Sequence, residues 1–187
     1  MIKVSTFTLV YLSIMTALAT ALHAFEASLP VPYLFPGAKL GLANIVGLHV
    51  ILTHGTPAAL AVTGLRAIIG SLVSGTLFGM GFALSLSGGM VSTVVMGLLA
   101  GRARRPRVPG SPGPVGISVA GAVTHNVTQL AVAALITRQP GLVFYLPVLL
   151  FFAVPTGALV GLVAGKMRPL EAIVRAMLDS RRPPPGD

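Results

Sequence analysis

The residues that could do chemistry in this chain are few, and most sit inside apolar stretches. The densest group is GAVTHNVTQL, Gly121 to Leu130, which holds His125, Asn126 and Gln129. His125 and Gln129 are four residues apart, so a helix places them on one face. Thr124 and Thr128 form a second pair at the same spacing. An imidazole and two carboxamides supply donors and acceptors without a fixed charge at neutral pH. They could bind a ligand or hydrogen-bond neighbouring helices, the latter worth about 0.6 kcal/mol per bond in a membrane.

Four more sites need a reason for being polar. Arg66 lies near the middle of an apolar block, where a cation costs about 2.5–3.5 kcal/mol on insertion scales. It can snorkel, pair with backbone carbonyls, reach Glu26, or hold an anionic ligand. Asn44 follows Leu40 by about a turn, in KLGLAN. Glu26 and Lys39 flank a segment with Pro30, Pro32 and Pro36, which reads as a stiff connector or a lid. SLSGG, Ser85 to Gly89, is either a helix break that offers backbone N–H groups to a ligand or a close helix crossing. Ser87 is the candidate contact there.

Several chemistries are excluded. The acids are Glu26, Glu171, Asp179 and Asp187, and there is no cysteine. No thiolate nucleophile or cysteine-based metal site is available. The sequence has no phosphate-binding P-loop and no nucleophile elbow. It also lacks an aspartate-rich motif that would hold Mg²⁺ and a diphosphate. One histidine in a span, with no carboxylate beside it, is too few ligands for a metal. We expect a chain that is not itself an enzyme and carries no cofactor.

The elements that must position these residues are membrane helices. Hydrophobic residues make up 54% of the 187 and charged residues only 9%, against about 25% charged in a soluble domain. A spanning helix needs about 20 apolar residues. The blocks run Val4–Phe25, Leu40–Thr53 (short), Pro57–Val73, Leu77–Ala100, Val115–Thr137 and Leu142–Lys166. The first is too long for the apolar region of a signal peptide. The fold class is therefore an all-α integral membrane protein, a six-transmembrane-helix bundle. Six spans put both ends on one side. That side holds ten of the 13 lysines and arginines: Lys3, Arg102, Arg104, Arg105, Arg107, Lys166, Arg168, Arg175, Arg181 and Arg182. Lys39 and Arg138 lie opposite. Both termini are expected in the cytoplasm, in a multi-pass protein of the cytoplasmic (inner) membrane.

The net charge of +9 thus records topology and attraction to anionic lipid, not a nucleic-acid surface. The organisation expected is a transmembrane domain over 1–168, with an outer Pro-rich loop at 26–39 and an irregular basic loop at 101–114. A cytoplasmic tail at 169–187 follows, amphipathic and helical to Ser180 and disordered beyond.

These segments also carry a resemblance. FPGAKLGLANIVGL, GLRAIIGSLVSGTLFG, SLSGGMVSTVVMGLL, GISVAGAVTHNVTQLAVA and YLPVLLFFAVPTGALVG occur in that order. Together they resemble the bacterial Gx transporter family, also labelled heptaprenyl diphosphate synthase component I, from about Ala17 to Gly165. That family in turn resembles the substrate-binding S components of energy-coupling-factor transporters. The resemblance implies a six-helix subunit that captures a small molecule from outside. It would work with a transmembrane scaffold and ATPase subunits, packing on the scaffold through an AxxxA pair that Ala17 and Ala21 match. The family's other label implies an accessory role in isoprenoid or menaquinone synthesis beside a soluble catalytic subunit. On the transport reading, the candidate contacts are Glu26, Lys39, Asn44, Arg66, Ser87, His125, Asn126 and Gln129, in the outer half of the bundle. The Arg- and Pro-rich stretch RARRPRVPGSPGP has no counterpart in the family pattern.

Overall fold

The computed structural model describes residues 6–28, 41–103 and 112–180, and for 27–28 and 168–180 the backbone path alone. Among the described residues all regular structure is helical, with no strand. The helices are α1 (Thr6–Ser28), α2 (Leu42–His54), α3 (Thr56–Val73), α4 (Met80–Ala103), α5 (Pro114–Thr137) and α6 (Leu146–Ser180), with a 3₁₀ turn at Pro140–Tyr145 before α6. Five stretches are long and apolar enough to cross a membrane: α1, α3, α4, α5 and Pro140–Met167. The outward faces carry large apolar side chains such as Ile14, Leu98, Leu135 and Phe151. Water would not tolerate that much contiguous apolar surface, and a bilayer does.

α2 is the exception in length. Its 13 residues rise about 20 Å, short of the ~30 Å hydrocarbon core. It is also the helix most enclosed by protein. Ala43 and Val46 through Leu52 are buried, and α2 packs against α1, α3, α4 and α6. A helix wrapped by its neighbours needs no lipid-matched length. Its ends are held to α1. At one end the Gly41 N–H donates to the Glu26 carboxylate, in the last turns of α1. Gly41 has φ +72, a left-handed conformation that glycine adopts without strain. At the other end the Tyr11 hydroxyl hydrogen-bonds His49 Nε2 at 2.9 Å, and the Tyr11 ring stacks on His54 at 4.4 Å.

Between helices in lipid the hydrophobic effect contributes little, so close packing must hold them together. α5 and α6 meet along small residues. A Cβ built on Gly157 would lie 2.9 Å from Val119 Cα, and one on Gly161 would lie 2.8 Å from the Pro114 carbonyl oxygen. The backbones touch there, as a small-xxx-small pattern allows. α3 and α4 meet through a buried Thr63–Thr93 hydroxyl pair at 3.2 Å.

Several boundaries differ from those read in the sequence. SLSGG does not break a helix: α4 runs unbroken from Met80 to Ala103. Its Ser87 hydroxyl donates back to the Ala83 carbonyl at 2.7 Å, a bond an intact helix offers. The basic loop is shorter than 101–114, because α4 continues to Ala103 and Pro114 opens α5. Proline is tolerated there because the first helical N–H has no intrahelical partner. The tail helix expected from Pro169 is not separate, since α6 continues through that point to Ser180. Lys39, the prolines of the outer loop, Arg104, Arg105, Arg107 and the end of the tail lie outside the described residues.

Candidate functional site

A polar cavity lies where the helices converge. α1 contributes His23 and Glu26, α2 Asn44, α3 Arg66, α4 Ser85, α5 Ser118, His125 and Asn126, and α6 Thr156. These belong to all six helices, so the site exists only in the assembled bundle. Arg66 is 5% exposed and Glu26 7%. The Glu26 carboxylate attracts the guanidinium, and the same carboxylate accepts the Gly41 N–H. Arg66 thus points into the bundle and does not snorkel to a membrane surface. Of the four routes open to it from sequence, burial rules out snorkelling, attraction to Glu26 is present, and a ligand role stays compatible.

The two glycines of SLSGG explain how the polar groups fit. A Cβ on Gly88 would stand 2.8 Å from Gln129 Cγ and 3.2 Å from the His125 ring. A Cβ on Gly89 would stand 2.8 Å from Thr63 Cγ2 and 3.2 Å from Arg66 Nη2. Real Cβ contacts do not come that close to 2.8 Å. Gly88 therefore makes room on one side of α4 for the α5 cluster, and Gly89 on the other side for Arg66. The stretch is a close helix crossing, and the crossing seats the site.

The cavity leaves only ≈ 30 Å³ of room for the centres of water molecules. That suits one or two waters and falls far below the ~300–1,000 Å³ of a typical small-molecule site. A larger molecule would fit only if the helices parted.

Five of the eight candidates converge here: Glu26, Asn44, Arg66, His125 and Asn126. Ser87 does not line the cavity, being bonded back to its own helix; Ser85 does. Gln129 faces a second, lateral groove of ≈ 390 Å³, lined by Met80, Leu84, Leu130, Ala133, Leu142 and Leu149 among others. Gln129 Nε2 donates to the Leu84 carbonyl at 3.3 Å, and Asn126 Nδ2 to the Leu149 carbonyl at 3.2 Å. Lys39 is outside the described residues. The sequence reading passes over His23, although it sits one helical turn before Glu26 and against Gly70 of α3. It also misses Ser118 and Thr156, small hydroxyl residues with no signal of their own. Ala17 and Ala21 are both exposed on the outward face of α1. Among the described residues, no three His, Asp or Glu side chains gather as metal ligands would.

Comparison with known proteins agrees with the membrane architecture. The family model described as heptaprenyl diphosphate synthase component I matches residues 15–167. No curated protein and no solved structure matches the chain. The matched stretch takes in every helix that lines the cavity. The chain therefore belongs to the heptaprenyl diphosphate synthase component I (Gx transporter) family, whose members are non-catalytic membrane subunits.

Proposed function

We propose that this chain is the substrate-capturing membrane subunit of an energy-coupling-factor-type transporter for a small molecule. One observation carries the reading. In a bundle with few charges, Glu26, Arg66, Asn44, His125 and Asn126 meet at one interior point. Interhelical packing alone needs no such convergence, because single hydroxyls and small residues already hold α3 to α4 and α5 to α6. Polar groups grouped inside a membrane protein mark a ligand or ion pathway by default.

On this reading the bundle has six spans and both termini in the cytoplasm. Residues 1–168 form the binding domain and 169–187 a cytoplasmic tail, in the cytoplasmic (inner) membrane. Cargo enters from the outside, with Lys39 and the Pro-rich segment as its cover. The sequence contains no nucleotide-binding motif, so a scaffold and ATPases must supply the work, and Ala17 and Ala21 on α1 offer the scaffold a flat face.

A second reading rests on the family's printed description. The chain would then be a membrane accessory of heptaprenyl diphosphate synthase, beside a component II that brings the Mg²⁺-binding acids. Native mass spectrometry of gently extracted protein separates the two. The transport reading expects a bound small molecule and co-purifying ATPases. A prenyl synthase subunit co-purifying with no bound molecule would overturn it.

A further inference from the structure

The polar cavity and the lateral apolar groove share a wall, and that wall is thin. Asn126 lines the cavity, yet its amide holds the carbonyl of Leu149, which lines the groove. Gln129 lines the groove and holds the carbonyl of Leu84, another groove residue. His125 of the cavity and Gln129 of the groove both lie over Gly88 of α4. Two amide-to-carbonyl hydrogen bonds, with the His125 and Gln129 side chains packed on Gly88, thus stand between the polar space and the apolar one. A ligand that offers its own polar and apolar groups there can take the place of both bonds.

The volumes are lopsided. The polar cavity has ≈ 30 Å³ and the groove ≈ 390 Å³. Of these two spaces, the groove is the one that reaches the size of a small-molecule pocket. It is floored by α5 and flanked by the start of α4 on one side and by the 3₁₀ turn and the start of α6 on the other. Leu84, Leu130, Ala133, Leu142 and Leu149 make it a trough for hydrocarbon.

Building on the binding role argued above, we infer that the ligand is a single-chain amphiphile. Its small polar head sits in the cavity among Arg66, His125 and Asn126, and its apolar chain lies in the α4–α5–α6 groove. Displacing the Asn126 and Gln129 hydrogen bonds joins the two spaces. A water-soluble ligand would leave the larger space unused. A bulk lipid chain would use only the groove.

Photolabelling of the full-length protein in phosphatidylcholine nanodiscs tests this. The probe is a long-chain alkyl phosphate with a diazirine in mid-chain. The expected result is saturable labelling confined to the groove, residues 80–84 and 129–149. It should fall about tenfold in Ala133→Phe, which fills the groove, and similarly in Arg66→Gln, which removes a head contact. Leu142→Trp at the half-buried rim replaces Ala133→Phe if that variant fails to fold, and His125→Phe likewise replaces Arg66→Gln. Labelling that does not saturate and spreads over all helices would mean bulk lipid and overturn the inference. So would labelling lost in Ala133→Phe but unchanged in Arg66→Gln. A co-purified molecule without an apolar chain, held equally well by Ala133→Phe, would overturn it while leaving the capture role standing. Loss of the capture role itself has a different signature: no bound molecule in the wild type and a co-purifying prenyl synthase.

Discussion

Gly89 of α4 lies against the Arg66 guanidinium of α3: a methyl group at 89 would stand 3.2 Å from Nη2 and 2.8 Å from the neighbouring Thr63 Cγ2. The charge at the centre of the bundle is held where it is by the absence of a side chain on the next helix. Gly89→Ala should therefore cost about 1–3 kcal/mol, the usual penalty for overpacking, and should displace Arg66 from the cavity. Gly64, with nothing within 4 Å of a built Cβ, is the control, and Gly64→Ala should not lower stability. Thermal unfolding in detergent, with affinity for the co-purified molecule measured on the same samples, checks both. Equal melting temperatures for Gly89→Ala and the wild type would refute the packing role.

The attraction between Glu26 and Arg66 leads to a second expectation. Both groups are buried, and removing one partner of a buried pair typically costs about 3–5 kcal/mol, because the other charge is stranded. Glu26→Gln should be strongly destabilising. Arg66→Met added to it should recover much of the loss, since two neutral groups need no mutual compensation. A double-mutant cycle from unfolding midpoints measures the coupling. Additive losses would mean that Glu26 matters chiefly through its hydrogen bond to the Gly41 N–H.

How much of this was legible in sequence depends on the kind of signal. The membrane helices were, because long apolar blocks with few charges have no other stable solution. The convergence of Glu26, Asn44, Arg66, His125 and Asn126 was legible as a set of polar residues that needed a reason, though not as a geometry. Ser87 and Gln129 show the limit. Both are polar and in the right helices, yet helical rotation turns Ser87 onto its own backbone and Gln129 into the lateral groove. A shift of one or two residues decides which face a side chain takes, and boundaries read from apolar blocks are not that fine. SLSGG had two readings, and the unbroken run of α4 with the close contacts at Gly88 and Gly89 chooses between them. Ser118 and Thr156 carry no distinguishing signal at all.

Tyr11 gives a third prediction. Its hydroxyl bonds His49 Nε2 at 2.9 Å, joining α1 to the enclosed helix α2. Tyr11→Phe keeps the ring stack on His54 and removes only the hydroxyl. The loss should be about 0.5–1.5 kcal/mol, seen as a small drop in melting temperature with the cavity unaffected. An unchanged melting temperature would show that the bond makes no net contribution.

The seam between α5 and α6 should be the least forgiving part of the bundle. Gly157 meets Val119 Cα at 2.9 Å and the Ala122 methyl at 3.1 Å from a built Cβ, so a side chain there must push backbone, which cannot rotate aside. Gly157→Leu should abolish folded, monodisperse protein. Gly141→Leu, where nothing lies within 4 Å, should be tolerated. Size-exclusion profiles after extraction distinguish the two, and a monodisperse Gly157→Leu would mean that α5 and α6 can slide apart at little cost.

Orientation can be read directly, because the chain has no cysteine and any introduced thiol is a clean reporter. Arg102 ends α4 and Arg138 follows α5, both are exposed, and the two helices pack side by side. α4 and α5 are consecutive and antiparallel, so these residues report opposite faces of the membrane. On the proposed topology, the excess of lysine and arginine on the Arg102 side puts that side in the cytoplasm. Arg138→Cys should therefore react with a membrane-impermeant maleimide in intact cells, and Arg102→Cys only after permeabilisation. The reverse pattern would put the termini outside. It would also turn the Pro-rich segment between α1 and α2 toward the cytoplasm, where it could not cover a site loaded from the exterior.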